Sequence, residues 1–193
     1  MATQPVSFLT PEQYLETERA ADFRSEYLNG QMFAMSGATA RHNILVNNFA
    51  ATLRDQLKGR CRYFTTDLRL LIPATGLYTY PDLMVVCGEV EYSGDRQDIV
   101  TNPSFIAEVL SKSTADYDRG GKFVHYRSIP SLADYMIAAQ DSPRVEHWSR
   151  QPDGSWVLRE FTSLTETVHL TSISAEVSLA AVYEDIDFAS QLR

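Results

Sequence analysis

Apolar positions along the chain recur with two periods, and the switches between them divide it into elements. Thr10-Pro11-Glu12-Gln13 is a helix start: Thr as N-cap, Pro at the first helical position and Gln placed to close a capping box, with the helix expected to run to about residue 20. Residues 24–28 and 31–36 flank Asn29-Gly30, which predicts a β-hairpin. Between 39 and 58, Ile44, Leu45, Phe49, Leu53 and Leu57 form an apolar stripe at helical spacing, stopped by Gly59. Residues 62–72 and 80–87, joined by 73–76, predict an antiparallel pair, and the polar stretch 88–102 predicts a loop. A strand at 105–110 leads into Ser113-Thr114-Ala115-Asp116, a capping pattern opening a helix to about 127, with Pro130 beyond its end. Runs at 133–139, 145–149, 156–161 and 167–170 read as strands separated by Asp141-Ser142-Pro143 and Pro152-Asp153-Gly154 turns, with a short closing helix at 179–186. This order predicts an α/β fold: a small mixed sheet with a helix on each face, extended along one edge by a C-terminal β-meander.

Two acids interrupt the apolar pattern. Asp82 opens Leu83-Met84-Val85-Val86-Cys87, and Glu108 sits inside Phe105-Ile106-Ala107-Glu108-Val109-Leu110. Burying a carboxylate without a partner is costly, so an acid within such a run calls for a cation, a metal or hydrogen-bond donors. Taken alone, Asp82 after Pro81 is equally a turn residue at a strand boundary, since proline fits only the start or edge of a strand. Together, two acids on adjacent strands can share one hard cation through oxygen ligands. Lys122 lies four residues after Asp118 on the expected helix, so it either reaches the same point as an ammonium or pairs with Asp118. Gly120 and Gly121 each cost a helix about 1 kcal/mol relative to Ala, which predicts that the helix packs close to a sheet or a ligand there. Two carboxylates, a divalent ion and a lysine suit phosphodiester hydrolysis.

With 193 residues, 44% hydrophobic and 22% charged, the sequence reads as a single soluble domain spanning 1–193. No apolar run reaches the roughly 20 residues of a membrane span, and the N-terminus lacks a secretory pattern, so a cytoplasmic location is expected. Cys61 and Cys87 show no metal or redox spacing and read as separate buried thiols in a reducing compartment. A net charge of −8 disfavours indiscriminate nucleic-acid binding, so any nuclease reading requires locally placed cations. His125, His147 and His169 show no ligand spacing, and no Gly-rich phosphate loop or Ser-His-Asp set stands out.

Tyr80-Pro81-Asp82, followed by Ile106-Ala107-Glu108-Val109-Leu110-Ser111 and Tyr117-Asp118-Arg119-Gly120-Gly121-Lys122, resembles the Uma-type (Uma-two) family of restriction-endonuclease-like proteins, within the PD-(D/E)XK nuclease superfamily. The likeness covers nearly the whole chain, including Glu26-Tyr27-Leu28-Asn29-Gly30 and the helix begun by His42. It implies a restriction-endonuclease-like mixed sheet flanked by helices, and a Mg²⁺-dependent endonuclease acting on DNA, with Mn²⁺ as a substitute. Asp82, Glu108 and the Val109 carbonyl would hold the metal, and Lys122 would be catalytic. The superfamily pattern places a lysine where this chain has Leu110; the resemblance implies that the lysine has moved to Lys122, with Lys112 the other candidate. Glu26 and His42 are auxiliary candidates, the first alternatively an exposed strand acid, the second alternatively a helix cap or core histidine. One active site per chain and two strands per duplex predict a homodimer. Two rival readings are a non-catalytic nucleic-acid-binding or regulatory module that keeps the nuclease fold, and an interaction subunit beside a larger partner.

Overall fold

In the computed structural model, which describes residues 8–35, 37–110 and 117–188 (side chains of 117–119 excepted), two β-sheets share a core and helices cover their outer sides. Helix α1 (Pro11–Ala20) begins with the expected capping box: the Thr10 hydroxyl accepts from the Gln13 amide, and the Gln13 side chain accepts from the Thr10 amide at 2.8 Å. Strands β1 (Ser25–Leu28) and β2 (Gln31–Ala34) form the hairpin, turning through Asn29 at φ 49° and Gly30 at φ 82°. A Cβ at Gly30 would lie 2.6 Å from the Phe8 ring. Gly30→Ala is therefore expected to cost more than about 1 kcal/mol and to lower the melting temperature by several degrees in a thermal scan.

Helix α2 (Ala40–Leu57), capped by Thr39, buries Leu45, Val46, Phe49, Leu53 and Leu57. Val46 takes the place in the stripe expected for Ile44, which is half-buried. The two expected long strands after it are each divided. Residues 62–72 break at a turn where Thr66 has φ 25°, giving β3 (Cys61–Thr65) and β4 (Arg69–Ile72). The following run gives β5 (Leu77–Thr79) and β6 (Leu83–Cys87), because Pro81 has no N–H to give a ladder and the chain bends at Asp82. One expected pair thus becomes two, β4 with β5 and β3 with β6, in different sheets.

The loop at 88–102 contributes β7 (Ile99–Val100), parallel to β4. Strand β8 (Phe105–Val109) leads to a π-helical turn (Tyr117–Lys122) and α3 (Phe123–Tyr126); the expected start of this helix at 113–116 lies outside the described residues. Of the two expectations for the glycine pair, close packing on a sheet is not found at Gly120, where a Cβ would meet nothing within 4 Å. Strand β9 (Asp134–Ala138) returns parallel to β8, and β10 (Val145–Arg150) and β11 (Trp156–Phe161) complete the expected meander. Strand β12 (Thr167–Leu170) leaves it to pair with β13 (Ala175–Ser178), which the sequence reading lacked, before α4 (Leu179–Val182). Val168, Leu170, Ala175 and Val177 alternate inward and bury against the α2 side, and that gain sets the pairing.

The larger sheet has the order β11-β10-β9-β8-β6-β3, the smaller β2-β1-β5-β4-β7. One face of the larger sheet packs on α2 and the β12–β13–α4 unit. Its other face shares a core with Leu70, Ile72 and Leu77 of the smaller sheet and with Tyr126 of α3. Tyr14 of α1 packs with Tyr27 and Tyr78 on the smaller sheet.

The expectation of two separate thiols is corrected. Cys61 and Cys87 stand directly opposite in the β3–β6 register, with Cα atoms 4.1 Å apart, and form a disulfide. A spacing of 26 residues holds no hint of this; only the register brings the pair together. No helix among the described residues is long and apolar enough to cross a membrane.

Candidate active site

The bend at Pro81 delivers Asp82 to the end of β6 beside the end of β8, where Val109 lies. There the Asp82 Oδ2 accepts the Val109 amide at 2.8 Å and lies 3.1 Å from His42 Nε2. The Asp82 amide lies 3.4 Å from Glu108 Oε2, so the two carboxylates are joined through the backbone as well as by position. Glu108 projects to the face opposite Ala107 and Val109, where it is 2% exposed. Its Oε1 accepts Lys122 Nζ at 3.2 Å and the Tyr126 hydroxyl at 2.6 Å. The same ammonium stands 3.5 Å from Glu26 Oε1, and Glu26 also accepts the Thr79 hydroxyl.

All five sequence candidates therefore converge. Asp82, Glu108 and Lys122 form a continuous chain, with Glu26 behind the lysine and His42 behind the aspartate. Lys122 is buried, at 6% exposure, and is not a solvated surface residue. Its possible partner Asp118 and the rival cation Lys112 lie among side chains not described. His147 is held by Asp134 at 2.7 Å, and His169 faces Glu176 on the surface, in keeping with structural roles.

Two residues escaped the sequence reading. Thr79 secures Glu26 from the neighbouring strand, which no motif announces. Tyr126 follows Lys122 by four residues, a helical spacing that places both on one face, and this signal was available. Burial, then the neighbouring Glu108 carboxylate, pushes the Tyr126 phenol well above its ordinary range, so it remains a donor at neutral pH. Burial pushes the His125 imidazole down, against the opposing pull of Glu26. Tyr126→Phe leaves the buried Glu108 oxygen one donor short and is expected to cost about 1–3 kcal/mol, read as a lowered melting temperature.

The donor set at the strand ends is hard oxygen. Asp82 Oδ1 has no hydrogen-bond partner among the described residues, its side chain being 15% exposed. In an extended strand N–H and C=O of one residue face the same neighbour, so the Val109 carbonyl shares the Asp82 side with its amide. Two carboxylates and a carbonyl fit a hard divalent ion better than a soft one. Among the described residues no cluster of three or more His, Cys, Asp or Glu side chains forms a larger metal cage.

A mixed sheet with carboxylates converging from adjacent strands and a buried lysine beside them defines a restriction-endonuclease-like architecture. The crystal structure of "a putative nuclease belonging to DUF820" from Anabaena variabilis ATCC 29413 shares this fold, with a TM-score of 0.70 at 17% identity over 91% of this chain and 97% of that one. The family model Uma2, "Putative restriction endonuclease", matches residues 11–182, and the chain belongs to that family. Two Synechocystis sp. (strain ATCC 27184 / PCC 6803 / Kazusa) proteins, both named as uncharacterized, are similar: sll1609 at 39% identity over 83% of this chain and 91% of its own length, and slr1290 at 31% over 95% and 96%. Family membership places the chain among nuclease-like proteins.

Proposed function

We propose that the protein is a Mg²⁺-dependent endonuclease that hydrolyses phosphodiester bonds in DNA, with Mn²⁺ able to substitute. The observation that carries this reading is the buried Lys122 ammonium 3.2 Å from Glu108, itself joined to Asp82. Asp82, Glu108 and the Val109 carbonyl would hold the cation. Bound there, a divalent ion supplies Lewis acidity, activating water, polarising the phosphate and stabilising the leaving oxygen. Lys122 orients the attacking water and offsets charge that develops on the phosphoryl oxygens. Glu26 and Thr79 fix the lysine, and His42 fixes the Asp82 carboxylate, so the polar groups need little reorganisation as the reaction proceeds.

The test is cleavage of plasmid and oligonucleotide DNA with and without Mg²⁺ or Mn²⁺, wild type beside Asp82→Ala. Metal-dependent cutting that Asp82→Ala lacks supports the reading. Binding without cutting under every condition points to the non-catalytic module.

The active form is proposed to be a homodimer, since one site per chain serves two strands. Edge strand β11 presents exposed Val157 and Leu158 for pairing across a two-fold axis. Light scattering at micromolar concentration is expected to give twice the 21.8 kDa chain mass. A strict monomer that makes double-strand cuts would contradict this.

A further inference from the structure

Beside the site, on the hairpin that carries Glu26, an aromatic ring faces solvent. Phe33 is directly opposite Glu26 in the β1–β2 register, and opposed residues of an antiparallel pair project to the same face with Cβ atoms about 5 Å apart. The neighbouring pair confirms the alternation: Tyr27 and Met32 turn to the other face, into the tyrosine core under α1. Glu26 is buried against Lys122, whereas Phe33 remains 49% exposed, and Met35, two residues on, is 36% exposed. An apolar edge thus begins at the residue paired with the acid that contacts the ammonium. The described residues leave it uncovered although the tyrosine core lies on the other side of the same two strands. Apolar side chains exposed singly need no explanation, but two together beside a buried polar site are a candidate ligand contact.

We infer that Phe33, extended by Met35, is the base-contacting surface of this site. It stacks on an unpaired nucleobase flanking the phosphate at Lys122. The inference rests on the nucleolytic reading of Asp82 and Glu108 and deepens it by naming the substrate class: nucleic acid with an unstacked or single-stranded nucleotide beside the scissile bond. Stacking on an aromatic face is tolerant of base identity, because every base has a π-face, so it adds affinity without reading sequence. The ring lies on β2, a hydrogen-bonded strand at the edge of the smaller sheet, and is held there by the hairpin turn. The soft Met35 thioether suits the irregular outline of a base beside it.

The experiment measures binding of a fluorescent single-stranded oligonucleotide by anisotropy, in chelator so that cutting does not intrude. Wild type, Phe33→Ala, Phe33→Tyr and, as an exposed apolar control between β11 and β12, Leu164→Ala are compared, with cleavage in Mg²⁺ followed in parallel. Phe33→Ala is expected to weaken binding by about 5- to 150-fold, while Phe33→Tyr, which keeps the ring, stays near wild type. The salt dependence should not change, because no phosphate contact is lost. Because Phe33 is exposed, its replacement is not expected to unfold the chain, and melts verify this. Unchanged binding by Phe33→Ala, equal losses in Phe33→Ala and Leu164→Ala, or no binding by wild type would each overturn the inference. So would a dimer that Phe33→Ala converts to monomer with binding intact, which would make the surface an interface between copies. Wild type that cuts while Phe33→Ala binds normally sinks the base contact alone. Wild type that never cuts, while Phe33→Ala loses binding, sinks the nucleolytic reading and leaves the base contact standing.

Discussion

Glu108→Gln and Asp82→Asn are each expected to lower the cleavage rate at saturating substrate by about 10²-fold or more while the chain stays folded. The amide replacements keep shape and an acceptor oxygen, so the side chain at position 108 can still accept from Tyr126 and the one at position 82 from the Val109 amide. What they remove is negative charge at the point where a hard cation would be held. Mg²⁺ or Mn²⁺ should raise the melting temperature of wild type, the stabilisation growing with the logarithm of one plus ligand concentration over its dissociation constant, and leave both variants flat. Repulsion between two bare acids would make the variants more stable than wild type. The structure removes that expectation, since each carboxylate already has donors or a cation, and the melting temperatures without metal should be unchanged or lower. Equal metal-induced shifts in all three proteins would remove Asp82 and Glu108 from the ligand set.

Lys122→Ala should cost at least as much activity while metal binding survives, because both carboxylates remain. It also removes the ammonium from between two buried acids, Glu108 at 2% and Glu26 at 9% exposure, so a loss of stability of a few kcal/mol is expected as well. Circular dichroism and a metal-induced melting shift establish that the variant under assay is folded and loaded. Lys122→Arg should rescue poorly: the planar guanidinium is bulkier than an ammonium in a pocket bounded by Glu26, Glu108 and Tyr126. Lys112→Ala is expected to be mild, affecting substrate affinity at most. An inactive Lys112→Ala beside a near-normal Lys122→Ala would reverse the assignment of the catalytic cation.

The sequence made the site more legible than the sheets. Glu108 was visible because a carboxylate inside Ile106-Ala107-Glu108-Val109-Leu110 has no cheap explanation, and Lys122 because its neighbourhood breaks helical rules. The hairpin and the α1 cap were legible because Asn-Gly and Thr-Pro-Glu-Gln encode their geometry locally. What stayed hidden depends on pairing between distant segments. No local signal says that residues 62–72 serve two sheets, that Ala175–Ser178 pairs with Thr167–Leu170, or that Cys61 meets Cys87. Tyr126 and Thr79 were missed because a hydroxyl aimed at a carboxylate looks, in sequence, like any other core tyrosine or strand threonine.

The break between β5 and β6 has a mechanical meaning. Glu26 and Thr79 ride on the smaller sheet, Asp82 and Glu108 on the larger one, and the segment carrying Lys122 and Tyr126 is wedged where the two meet. The site therefore straddles a joint rather than sitting within either slab. Two three-residue straps cross it, Thr66 to Leu68 between β3 and β4 and Tyr80 to Asp82 between β5 and β6. Lys122 pairs with an acid on each slab, Glu26 at 3.5 Å and Glu108 at 3.2 Å. The ammonium is thus the rivet of the joint, and its place is set by both sheets at once.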